Sequence, residues 1–306
     1  MIDPMAVAAD VLVAAFGIAT PLALAATGET IAERSGVVNL GVEGAMLFGA
    51  LGGAIGATVA GPAAGLGLGV LAGVLVAALF AAVAIGAGAD QIITGTAVTL
   101  ASVGLTGTIY RQFYGPAGVG LSIPTLPPIP IPILSDTPFI GRVLFVQPVT
   151  TYAAVALIPL TWYLLFRTRF GLALRAVGED PPAARTAGVS VRLVRTWAVL
   201  LGGAFAGLAG ATLVLAQVGT FTERMTAGRG FIAIAIVVLG RWNPVGAGLA
   251  ALLFGLATAL QFALQAAGFD VPYQFFLMFP YLLTLLALAG AVGRVEAPAG
   301  LGRNED

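Results

Sequence analysis

Apolar runs of membrane length recur along this 306-residue chain and constrain its fold more than any other feature. Residues 6–26, 63–86, 92–110, 150–166, 197–218, 245–267 and 275–292 each approach the span of about 20 residues that an α-helix needs to cross a bilayer. They do not alternate polar and apolar residues, which argues against a transmembrane β-barrel. Charged residues make up 9% of the chain, against about 25% in soluble domains, too few to solvate a globule of this size. The expected fold is an all-α polytopic membrane protein, with residues 1–306 forming a single transmembrane domain. It has roughly 8–10 transmembrane helices, some of them half-helix or re-entrant segments. The first 30 residues carry no basic region, only Asp3, Asp10 and Glu29 as charges, so the first run reads as a retained helix with a kink at Pro21, not a cleaved signal.

Several chemistries are excluded by what is missing. The chain has no Cys and no His, and all 14 basic residues are Arg. Disulfides, thiolate metal sites, histidine general bases and P-loop or Schiff-base lysines are therefore excluded. No catalytic residue, metal site or cofactor site is expected. No basic stripe is interleaved with aromatics, so nucleic acid is not an expected partner. Active transport would have to draw its energy from an ion gradient or from another subunit.

The charges that remain set the topology. Six of the 14 arginines fall between 167 and 196: Arg167, Arg169, Arg175, Arg185, Arg192 and Arg195. The Pro-rich connection 115–148, with Pro124, Pro127, Pro128, Pro130 and Pro132, holds only Arg142. The positive-inside rule puts the Arg-rich loop in the cytoplasm and the Pro-rich loop outside, the latter on an extended polyproline course. It serves as a lid, a receptor contact or a plain connector. Counting onward, 219–229 is external, 241–244 internal and 268–274 external, and the C-terminus is cytoplasmic. That count requires 231–240, half a membrane thick, to cross as a half-helix. The protein contacts membrane lipid throughout.

Within the Arg-rich loop, 172–177 reads as a helix that Gly178 ends. Asp180-Pro181-Pro182 then signals a new start, with Asp as N-cap and Pro in the first turn. The short helix 181–187 stops at Gly188. Gly178, Glu179, Asp180, Pro181, Ala183, Ala184 and Gly188 thus outline either a coupling helix for a cytoplasmic ATPase or an ordinary helical connector. Residues 35–60 carry Asn39 and Glu43 four apart on one helical face, interrupted by Gly36, Gly41 and Gly44. Glu43 pairs with Arg34 or with backbone amides at a helix start, or contacts a transported solute. Gln91 and Thr94, one turn apart in a Thr-rich span, line a polar path or bond their own backbone. Arg229 places a cation and free amides at a central cavity or snorkels to the interface. The small-residue series Gly49/Gly53, Gly52/Gly56, Gly65/Gly69/Gly73 and Gly203/Gly207 read as close helix packing.

Three stretches carry a resemblance. Glu33-Arg-Ser-Gly-Val-Val-Asn-Leu-Gly-Val-Glu-Gly44 resembles the signature of ABC-importer permeases of the branched-chain amino acid and simple sugar superfamily, and more narrowly of its nucleoside branch. The stretch 174–188 resembles that superfamily's cytoplasmic coupling loop. Residues 228–235 and 239–244 resemble its late half-helix and turn. The resemblance runs from about residue 29 to 292. It implies a type II-like ABC permease bundle in a bacterial cytoplasmic membrane and the smaller permease of a pair. The implied partners are a second, longer permease, an ABC ATPase that uses ATP and Mg, and an external substrate-binding lipoprotein. Transport by alternating access follows, most simply of nucleosides. The competing readings are a ribose-like sugar permease and a gradient-driven transporter using Glu43 or Asp90.

Overall fold

The computed structural model describes residues 4–115, 123–266, 274–275, 278, 282 and 297–303. The expected span 275–292, the loop 268–274 and part of the Pro-rich loop lie largely outside the described residues. Among those described, seven helices are long and apolar enough to cross a membrane, and an eighth apolar helix is only half that length. The chain is a multi-pass membrane protein.

The first helix, α1 (Pro4–Arg34), is longer than the apolar run that predicts it. It contains Pro21 and continues through Glu29, Glu33 and Arg34, beyond the expected run of residues 6–26. The continuation is possible because both carboxylates find partners inside the protein, described below. Next come α2 (Val42–Ala60) and α3 (Pro62–Ala81), the latter extended by a π-helical turn at Ala82–Gly86, and then α4 (Gln91–Tyr114), capped by Asp90. Asp90 accepts from the Ile93 amide at 2.8 Å. The Pro-rich loop is not wholly extended. Strands β1 (Ile129–Pro130) and β2 (Val146–Gln147) pair antiparallel, with α5 (Ile140–Leu144) between them. The Tyr152 hydroxyl braces this hairpin, donating to the Ile129 carbonyl and accepting from the Gln147 amide, each at 3.1 Å.

Helices α6 (Val149–Arg167), α7 (Arg169–Glu179) and α8 (Pro181–Thr186) lead to α9 (Val191–Thr212), which ends in a π-helical turn at Leu213–Val218. The short α10 (Arg229–Leu239) and the long α11 (Pro244–Ala266) follow. The centre is a triad of α2, α3 and α9 packed through glycine. A Cβ on Gly73 would strike the backbone of Gly203 and Gly207, one on Gly69 would meet Gly49 and Gly207, and one on Gly210 would strike the Met46 carbonyl. These contacts let backbones meet where lipid offers no hydrophobic drive for association.

Cross-helix contacts fix the two ends of the bundle. Asp10 pairs with Arg142 at 2.6 Å, so α1 starts at the end that carries the Pro-rich loop. At its other end, the Arg34 guanidinium donates to the Trp242 carbonyl at 2.7 Å and lies over the Phe166 ring, beside the Arg-rich loop. Glu223 pairs with Arg111 at 3.5 Å, which puts the 219–228 connection at the Pro-rich end. Residues 300–303 bond to α7 and α9 at the Arg-rich end.

Candidate functional site

Two helices begin inside the bundle, not at its ends. After α1 finishes at the Arg-rich end, residues 35–41 turn back inward without helix, and α2 starts only at Val42. Gly41 there faces Val98 and Phe80, well along α4 and α3 from the Arg-rich end of each. From the opposite end, residues 219–228 descend as irregular chain and α10 starts at Arg229. Its 11 residues cover about 16 Å, enough for the Arg-rich half of the membrane only. The two N-termini meet. A Cβ on Gly230 would collide with the Glu43 Cα and amide nitrogen, so only glycine lets the backbones approach this closely.

Glu43 closes the junction. Its Oε1 accepts from the Thr226 hydroxyl at 2.6 Å and the Gly228 amide at 2.9 Å, and its Oε2 accepts from the Gly230 amide at 2.6 Å. The carboxylate lies in the first turn of α2 and on the first amides of α10, so both helix dipoles favour its negative charge. Glu43 therefore takes backbone amides at a helix start and not Arg34. Arg229 follows directly in sequence, but its guanidinium donates to the carbonyls of Met225 at 2.9 Å and Thr226 at 3.3 Å, tying the descending chain from within.

Asn39 does not share a helical face with Glu43, because α2 has not begun there. Its Oδ1 accepts from the Gly41 amide at 3.0 Å, and its own amide donates to Glu29 Oε1 at 3.1 Å. Gln91 Oε1 accepts from the Val38 amide at 2.9 Å, and Thr99 donates to the Leu40 carbonyl at 2.9 Å. Thr94 is buried one turn from Gln91 in α4. Asn39, Gln91, Glu43 and Arg229 thus gather around the two helix breaks, and each bonds backbone that has no helix to satisfy it.

Three further residues, none of them expected from the sequence to belong to the site, complete the arrangement. Glu29 and Glu33 are one turn apart on the buried face of α1. Glu29 holds the 35–41 loop through Asn39, and Glu33 accepts from the Trp242 indole N–H in the turn between α10 and α11. The end of α1 therefore clamps both interrupted segments. The sequence signal was available as two glutamates at helical spacing beside an apolar run, with Trp242 as the partner.

The Arg-rich loop forms a separate polar region. The Asp180 side chain accepts from the Ala183 amide at 3.0 Å and caps α8. Gly188 closes α8 with φ +84°, one residue after Ala187. Gly178 does not end its helix: α7 runs on to Glu179, and Gly178 is buried where a Cβ would strike the Arg34 carbonyl. Ala184 packs with Val177 and Val191, while Pro182, Ala183, Arg185 and Thr186 are exposed. Among the described residues, no group of three acidic side chains could hold a metal ion.

A bundle of spanning helices with two half-membrane breaks and an exposed, capped helix at one end is an architecture that suits a permease. The chain belongs to the family described as branched-chain amino acid transport system / permease component, which matches residues 11–288. It is 38% identical over 294 residues to the guanosine ABC transporter permease protein NupQ of Bacillus subtilis, covering 93% of this chain and 92% of that one. It is 37% identical over 295 residues to the nucleoside ABC transporter permease protein NupC of Lactococcus lactis, covering 93% of each. TsgC13 of Haloferax volcanii, provisionally named a glucose ABC transporter permease protein, is 41% identical over 316 residues, covering 96% and 94%. No solved structure matches. The chain is a membrane component of an ABC transporter and not itself a catalyst.

Proposed function

We propose that this chain is a permease subunit of an ATP-driven importer for nucleosides, working by alternating access. The transport reading rests on the meeting of α2 and α10 at Glu43. Two half-membrane breaks on adjacent segments make a hinge whose backbone is held by a few replaceable hydrogen bonds. The Arg-rich end faces the cytoplasm by the positive-inside rule, and there α8 offers its exposed side to an ATPase. Residues 1–306 hold no nucleotide motif, and ATP and Mg belong to that ATPase. A second, longer permease completes the transporter, and the exposed leucines of α3, Leu71, Leu75 and Leu79, face it or the lipid. An external lipoprotein delivers the solute.

The nucleoside class is supported by the likeness to NupQ and NupC along more than nine-tenths of the chain. The likeness to TsgC13 favours a simple sugar as the second reading. Uptake of labelled guanosine, adenosine, ribose, glucose and leucine by cells with and without the transporter decides between them. Gene-dependent, ATP-dependent nucleoside uptake that excess glucose does not compete is the expected result. Gene-dependent glucose uptake without nucleoside uptake would transfer the assignment to sugars.

A further inference from the structure

Residues 297–303 form no helix, yet they are bonded to four different parts of the bundle. The Ala299 amide donates to the Glu179 carboxylate at 3.2 Å, and the Gly300 amide donates to the Gly178 carbonyl at 2.8 Å. Both acceptors belong to the last turn of α7, immediately before α8. The Gly302 amide donates to the Gly36 carbonyl at 3.0 Å, in the chain that turns inward toward α2. The Arg303 carbonyl accepts from Arg195 Nη1 at 3.1 Å and from Gln91 Nε2 at 3.5 Å, at the starts of α9 and α4. Gln91 in turn holds the Val38 amide. The segment fits tightly, because a Cβ on Gly300 would lie 2.8 Å from the Gly178 carbonyl and 3.2 Å from the Pro181 ring. Pro298 and Gly300 are buried, and Leu301 packs against the main core.

These bonds join two regions that perform different tasks. On one side is α7–α8, with α8 held to the bundle by the small cluster of Val177, Ala184 and Val191. On the other is the 35–41 loop, whose Asn39 amide is held by Glu29 and whose end is the α2 start that carries Glu43. We infer that residues 297–303 act as a staple that makes the end of α7 and the inward-turning loop one mechanical body. Displacement of α8 then moves the start of α2 and not only the membrane surface. Transmission of this kind needs a contiguous chain of packed and hydrogen-bonded groups; Gly178 already packs on the Arg34 carbonyl and the Gly36 amide, and this segment ties that contact with hydrogen bonds from its own backbone. The inference rests on α8 being the ATPase contact.

The test uses the complete importer, with its ATPase, partner permease and binding protein, in proteoliposomes. Gly300→Val forces a side chain against Gly178 and Pro181. Gly302→Pro removes the amide that bonds Gly36 and cannot adopt the φ of +74° found there. Both variants should retain the ATPase through purification and hydrolyse ATP within about twofold of the parent, while solute carried per ATP falls about tenfold. Unchanged solute per ATP in both variants overturns the staple. So does loss of the ATPase, or a proportional fall in hydrolysis and uptake, since the segment would then serve docking or folding alone. If neither variant assembles, Glu179→Cys with Ala299→Cys in the otherwise cysteine-free chain decides. Uptake that survives oxidation to a disulfide supports a permanent link, and uptake blocked by oxidation and restored by reductant overturns it. Ala183→Arg on the exposed face of α8 is measured in parallel. If that variant keeps both ATPase and uptake, the α8 reading falls, and the staple variants report separately.

Discussion

At the residue scale, Glu43 shows why an ionisable group persists among apolar helices. An isolated carboxylate at this depth is costly, but three donors and two helix N-termini face it. Glu43→Gln keeps the size and removes the charge. Whichever way its amide turns, an N–H is set against a donor, because both oxygens accept in the native arrangement. The expected loss is about 2–3 kcal/mol, read as a lower Tm of the purified protein in detergent, with Glu43→Asp intermediate. A Tm equal to the parent's would remove Glu43 from the junction's stability. The sequence marks this residue, because a lone glutamate among glycines needs partners. It does not pair this residue with Gly230 or Thr226, which become partners only when a segment nearly two hundred positions away folds back.

At the element scale, the apolar runs make the spanning helices legible, and the Asp-Pro-Pro start makes α8 legible to within a residue. The interruptions are less so. Apolar content cannot tell a helix that continues through charges from one that stops at them, and α1 runs on through Glu29 and Glu33 because Asn39 and Trp242 meet them. Gly178 reads as a terminator for a similar reason: a glycine that ends a helix and one that admits a neighbouring backbone look alike in sequence. The glycine series in α2, α3 and α9 is legible, and the structure assigns it partners. Gly207→Val would drive a branched side chain into Gly69 and Gly73. It should destabilise the triad by about 1–3 kcal/mol, whereas Gly67→Val, with nothing within 4 Å of its Cβ, should be near neutral. Denaturation midpoints in mixed micelles compare the two. Equal midpoints would mean the triad is not packed through glycine.

At the scale of the whole molecule, the bundle has two distinct ends, and which one faces the cytoplasm decides whether α8 can reach an ATPase at all. The cross-helix contacts at the two ends agree on which loops share an end. Asp10 and Arg142 sit with the Pro-rich hairpin, and Arg34, Trp242 and residues 300–303 sit with the Arg-rich loop. Because these contacts tie the ends together, the orientation is a single two-way choice, and by the positive-inside rule the arginine bias favours a cytoplasmic Arg-rich end. The chain has no cysteine, so one introduced thiol reports without background. Ile133→Cys, exposed in the Pro-rich loop, should react with a membrane-impermeant maleimide in intact spheroplasts. Thr186→Cys on α8 and Arg303→Cys should react only after permeabilisation. Labelling of Thr186→Cys in sealed spheroplasts would invert the molecule, place α8 outside the cell and rule out the proposed cytoplasmic ATPase contact.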